Sequence, residues 1–287
     1  MNNIKIKREM INGFNVTEIF NHDYCSGKYL SLNSKRLNDA RETMLEYDIP
    51  FLELNIDFHL KNLDFLIDFS FVKGMDIISA DMKLDFNGLE NLQGLEMFLL
   101  KENIPKFSYD FNIFPKLKSC AIFWNRNMRF NSKIEFLSVD KFNQNDLSDI
   151  SYLINLKDLG ISNSNIKSLN GLENFMKLET LSLWYLKNLD SLSPLEKLNN
   201  TFKDISVVNC KNIRNYEALY ELVNMESFHI ADNSNSLKSL DFINKYSKLF
   251  SASIFIDVED QDGTPLQRIP NVSIPPKTKL KNIKSTF

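Results

Sequence analysis

Cysteine is scarce: Cys25, Cys120 and Cys210 are the only three, too few and too scattered for a disulfide framework, and no Cys-x-x-Cys pair exists. Glycine and proline are also thin, 8 of each in 287 residues, which excludes collagen-like and low-complexity Gly/Pro chains. There is no basic excess. Lys and Arg number 34 against 37 Asp and Glu, for a net charge of −3, so nucleic acid is not the expected partner. No apolar run is long enough for a membrane-spanning helix, and the opening MNNIKIKREMINGFNVTEIF has no signal-peptide core. The expectation is a reduced, soluble, cytoplasmic monomer with no membrane association.

Chemistry-bearing motifs are equally sparse. His22, His59 and His229 are the only histidines, and none has metal-ligand spacing. In DVEDQDG (257–263) the ligand positions of a calcium loop fall on Val258 and Ile269, so the match fails. There is no dinucleotide fingerprint, phosphate-binding loop or Gly-x-Ser-x-Gly. Cys25 lies beside His22 and Asp23, but three residues of spacing do not make a nucleophile and base pair. No enzyme activity, metal or cofactor is expected.

What the chain has in excess is leucine, 38, and asparagine, 35. Their placement is periodic. Segments reading L-x-x-L-x-L begin at Ile49, Val72, Leu95, Leu117, Ile134, Leu156, Leu178, Phe202, Met225 and Leu249, about 22 residues apart with one short step from Leu117 to Ile134. Positions 1, 4 and 6 are apolar in all ten if Cys120 and Ala252 are counted. This pattern resembles bacterial leucine-rich-repeat proteins of the internalin-like type over about residues 49–256. It departs from the family at position 9, where Asn103, Asn125, Cys210 and Asn233 match and Ser164 substitutes, while Ala80, Phe142 and Leu186 do not match.

The resemblance implies an α/β leucine-rich-repeat solenoid with a parallel, concave sheet of about ten strands and short helical, 3₁₀ or extended returns. Positions 3 to 7 form each strand, with 4 and 6 inward and 3, 5 and 7 outward. A single repeat cannot bury its apolar side, whereas a stack makes a continuous core. Residues 186–198 and 215–223 read as the more helical returns. Residues 1–48 read as an N-terminal cap with a helix over 36–47, and 257–287 as a closing hairpin with an Asp262–Gly263 turn and a basic tail.

The outward positions suggest a use. They carry the acidic Glu53, Asp76, Glu102, Asp140, Asp158, Asp204 and Asp232 against only Lys101 and Lys141. They also carry both tryptophans, Trp124 and Trp184, with Phe123, Phe136, Tyr185, Met97 and Leu99, and His229 at the centre of its strand. Met97, Leu99, Phe123, Trp124 and Phe136 fall on consecutive repeats and are expected to form one exposed patch. Aromatics among charges mark protein interfaces. The expected partner-binding residues are therefore these aromatics and apolar residues with Asp140, Asp158, His229 and Asp232, and the expected partner is a protein with a basic surface. Cytoplasmic proteins of this look include immunity proteins that neutralise toxins; the alternative is a secreted or effector-type protein acting on a host or enzyme partner.

Overall fold

The structure is a computed structural model that describes all residues except 1–3, 56–57, 79–82, 105–106, 199–200, 215, 276–278 and 284–287. The chain divides into two compact units, residues 1–137 and 138–287.

The first unit opens with an antiparallel meander, β1 (Lys5–Ile11), β2 (Phe14–Phe20) and β3 (Gly27–Ser31), followed by the helix α1 (Leu37–Glu46). Helix α1 occupies the 36–47 stretch, turning Ala40, Thr43 and Met44 inward. From β3 onward pairing is parallel, through β4 (Phe51–Leu54), β5 (Gly74–Ile77), β6 (Met97–Leu100) and β7 (Ser119–Phe123). Strand β8 (Phe136–Asp140) lies at the division. In the second unit β9 (Asp158–Ser162), β10 (Thr180–Trp184), β11 (Asp204–Val208), β12 (Ser227–Ala231), β13 (Ser251–Phe255) and β14 (Asn271–Ser273) pair in parallel, each with the next. Strands β4 to β13 are the ten that the repeat predicts.

Strand burial follows the repeat positions. In β9, β10 and β11 positions 4 and 6 are buried while 3, 5 and 7 stay open. Leu159, Leu181, Ile205 and Phe228 stack as one inner row and Ile161, Leu183, Val207 and Ile230 as the next. The returns between the parallel strands from β4 onward are 3₁₀ turns packed behind the strands, except the short one between β7 and β8, which carries none. The returns expected to be more helical are no exception: Ser193–Leu198 and Glu217–Glu221 are 3₁₀, because a segment of five or six residues closes too few i→i−4 bonds to nucleate an α-helix. Gly88 and Gly171, both with φ near +97°, turn the chain into two of these returns. A side chain at Gly88 would also collide with the Leu63 carbonyl.

The closing hairpin is not formed. After β13 the chain bridges in parallel from Val258 to Leu237, makes a 3₁₀ turn at Thr264–Leu266 and pairs β14 in parallel with β13. Residues 257–273 are thus one more, shortened repeat. Gly263 has φ −91°, not the left-handed value that a two-residue Asp-Gly hairpin turn needs. Of the expected tail lysines, Lys277 and Lys284 lie outside the described residues.

Position 9 works as a polar ladder even where asparagine is missing. The Cys210 N–H donates to Asn233 Oδ1 at 2.6 Å, and the Phe142 N–H donates to Ser164 Oγ at 2.8 Å. A serine hydroxyl thus takes the acceptor role of the amide.

Position 2 of the repeats carries a charge pattern in the sequence. From Lys73 it reads Glu96, Lys118, Glu135, Lys157, Glu179, Lys203 and Glu226, strictly alternating in sign. Within each unit backbone bonds set members side by side, as in Lys118 N–H to the Glu96 carbonyl and Lys203 N–H to the Glu179 carbonyl. Lys118 and Glu135 approach to 3.8 Å, and Lys203 and Glu179 to 2.5 Å. Such solvent-facing pairs contribute about 0–1 kcal/mol each.

Because Leu159 and Leu181 are fully buried, replacing either by alanine is expected to cost about 2–5 kcal/mol. Urea denaturation measures this, and a loss under 1 kcal/mol at both sites would break the assignment of position 4 to the core.

Candidate partner-binding face

The sheet face opposite the returns carries positions 3, 5 and 7. In the first unit this face is covered by the chain itself. Strands β5 and β6 are buried at every position, on both faces, unlike the alternating strands of the second unit. The cover is the turn between β2 and β3. Tyr29, Met97 and Leu99 form a buried cluster against which Ile19, Cys25, Phe51 and Ala121 pack. The Tyr29 hydroxyl donates to the Cys25 carbonyl at 2.6 Å and lies 3.4 Å from Met97 Sδ. Tyr24 stacks on Phe136 with ring centroids 4.8 Å apart. The Phe51 ring lies against Gly27 and Gly74, at both of which a Cβ would fall within 3 Å of that ring. The turn is closed internally, His22 N–H donating to Ser26 Oγ and Ser26 Oγ to the His22 carbonyl.

This corrects the expected patch. Met97 and Leu99 are 2% and 7% exposed, and Phe136 is half-covered by Tyr24. Phe123 and Trp124 are half-buried, and the Trp124 ring lies 6.5 Å from that of the core residue Phe130. The apolar side chains are neighbours as expected, but they serve as a seat for the N-terminal segment. His22 also spends Nδ1 accepting the Tyr24 N–H, and Cys25 belongs to the packed cluster.

The same cover buries a charge. Asp76 stands between Glu53 and Leu99 in the open-face row and is 5% exposed. Lys101 Nζ reaches its Oδ2 at 2.7 Å, while its Oδ1 has no hydrogen-bond partner. Glu53 is held instead by Ser31 and Asn55. Burial raises the Asp76 carboxyl above its ordinary value, with Lys101 opposing.

The second unit presents its face uncovered. Three rows follow from the strand register. Position 3 reads Asp158, Thr180, Asp204, Ser227 and Ser251; position 5 reads Gly160, Ser182, Ser206, His229 and Ser253; position 7 reads Ser162, Trp184, Val208, Ala231 and Phe255. Trp184 and Phe255 are 45% and 37% exposed and stand three strands apart, about 14 Å. Between them Val208 and Ala231 form a low floor. The Trp184 indole N–H donates to Ser206 Oγ at 3.0 Å, which fixes the ring, and Phe255 lies 6.1 Å from His229. Tyr185, 49% exposed, extends the Trp184 wall from a left-handed backbone position, φ 58°. Burial lowers the His229 pKa, with Asp232 opposing, and this favours neutral imidazole. Burial likewise raises Asp204. Asp140 accepts from Ser162 Oγ and Asn163 Nδ2, and Asp232 is exposed at the strand exit.

Of the residues expected to bind a partner, Asp158, Trp184, Tyr185, His229 and Asp232 thus lie together on this face, with Asp140 at its start. Phe255 was not among them. Its signal was its position 7 in the repeat that begins at Leu249, the same position as that of Trp184 in its own.

Stacked parallel strands at a period of about 22, inner leucine rows, 3₁₀ returns and a position-9 ladder decide the architecture. The fold is a leucine-rich-repeat solenoid. Residues 154–245 match the family model described as the endo-β-N-acetylglucosaminidase EndoS leucine-rich-repeat domain. Among solved structures, an internalin, InlF, from Listeria monocytogenes is similar with TM-score 0.54 and 16% identity, over 83% of this chain and 81% of that one. A leucine-rich-repeat protein of Leptospira interrogans is similar with TM-score 0.52 and 15% identity, over 88% of this chain and 60% of that one. These likenesses are bacterial and concern the fold. A comparison with curated protein sequences found no match.

A carboxyl whose folded pKa is raised gives stability that is full below its unfolded pKa, about 4, and is lost as pH rises through the folded value. Asp76→Asn is therefore expected to hold or raise stability at pH 7 and to flatten the decline above about pH 4. Denaturant titrations from pH 4 to 7 check this; a clear loss at pH 7 would mean that the Lys101 pair outweighs burial.

Proposed function

We propose that this chain is a non-enzymatic protein-binding module and that its partner sits in the trough between Trp184 and Phe255. The observation that carries the reading is a set of large aromatic side chains held exposed on a rigid, otherwise polar sheet, where burying them on a partner would be the main gain. The carboxylates of Asp158, Asp204 and Asp232 along the same face favour a partner with a basic surface, chiefly through orientation and association rate. The leucine-rich-repeat architecture, which offers an extended face, supports the same reading.

In its finer form the proposal is a cytoplasmic immunity-type protein whose partner is a basic toxin. Support comes from the acidic rows and from the resemblance in the repeats. Co-expression with the product of the neighbouring reading frame tests this form, and failure of any neighbour to be neutralised would leave only the coarser one.

With a partner in hand, Trp184→Ala is expected to weaken the complex by about 2 kcal/mol or more while leaving the melting temperature nearly unchanged. The association rate is expected to fall as salt rises from 50 to 500 mM, at about the rate that surface charge screening gives. A complex indifferent to both changes would place the interface elsewhere on the molecule.

A further inference from the structure

At the strand exits of the second unit the loops following β9 to β12 border an open groove of about 610 Å³ that the proposed protein interface does not use. Its lining is wholly polar. Three cations face it, Lys167, Lys211 and Arg214, against a single carboxylate, Asp190. Among the described residues none of these three cations has a side-chain hydrogen bond or ion pair, whereas Lys203 and Lys238 in the same unit are paired with Glu179 and Glu217.

The wall between the cations is fixed. Asn188 Nδ2 donates to the Asn165 carbonyl at 3.4 Å, Asn212 Nδ2 to the Lys187 carbonyl at 2.6 Å, and Asn235 Nδ2 to the Ile213 carbonyl. Each amide ties its loop to the preceding one and leaves its own oxygen free to accept. The groove therefore combines a rigid, hydrogen-bonding wall with three uncommitted positive charges, in a chain whose net charge is −3. Exposed like charges at these spacings repel only weakly through solvent, and an anion placed among them is attracted to all three.

We infer that the groove binds a sulfated saccharide chain. Lys and Arg hold tetrahedral oxyanions by charge and by forked hydrogen bonds. Lys167 and the Lys211–Arg214 pair belong to repeats two steps apart, about 10 Å, which suits an extended ligand with charges at intervals and not a single small anion. The Asn oxygens accept from sugar hydroxyls. No aromatic residue lines the groove, so it lacks the stacking platform with which proteins hold single-stranded nucleic acid. The inference rests on this groove alone; it is independent of the open-face reading and goes with a secreted chain that meets such polymers outside the cell, not with the cytoplasmic immunity-type form.

The test is titration of the full chain with a heparin-derived hexasaccharide at low salt, beside an unsulfated hexasaccharide and an oligothymidylate of similar charge. Binding of the sulfated probe is expected, with a log–log salt slope of about −2 for three charges engaged. Lys211→Glu and Arg214→Glu, at exposed side chains, are expected to melt as the parent does and to lose about tenfold or more in affinity. Lys248→Glu makes the same change of charge at an exposed site outside the groove and is expected to stay within about twofold. Absence of binding at low salt, equal binding of oligothymidylate, or an equal loss in Lys248→Glu would each overturn the inference.

Discussion

Everything in this molecule depends on the fact that one repeat cannot keep its own leucines dry. Positions 4 and 6 lose water only when the next repeat arrives at one strand spacing and in the same register. That requirement fixes the parallel pairing of Leu181 with Leu159 and with Ile205, and the outward rows follow from it without further choice. A residue at position 7 of one repeat must stand beside position 7 of the next. The surface that meets other molecules is thus written in rows by the demands of the core.

The two units treat those rows differently. In the first, the apolar outward residues meet the chain's own β2–β3 turn, and Tyr29, Tyr24 and Phe51 occupy the place that a ligand would take. The result is a closed end for the stack, at the cost of burying Asp76 with one oxygen unpartnered. In the second unit no segment among the described residues comes back over the sheet. Trp184, Tyr185 and Phe255 keep a third or more of their surface in water, and only Ser206 steadies the indole.

Local periodicity made the solenoid legible, because each inward position is dictated by the strand that contains it. Helix α1 was legible for the same reason. The cover over Met97 and Leu99 was not, because it depends on contacts with residues 19–29, some seventy positions away, and no period reports such a distance. The Asp262–Gly263 pair looked like a hairpin turn; in fact Val258 bridges back to Leu237 in the preceding return and the chain goes on to one more parallel strand. Of the candidate face, the half lying in the second unit was readable because none of the described residues folds back upon it.

The alternating lysines and glutamates at position 2 bear on how such a chain changes length. Each charge is suited to its neighbours only while the order of signs holds. Loss or duplication of a single internal repeat would set lysine beside lysine or glutamate beside glutamate on adjoining strands, whereas loss or duplication of two keeps the order intact. In charge, then, the period of this solenoid is a doublet of about 45 residues, twice the period of its core.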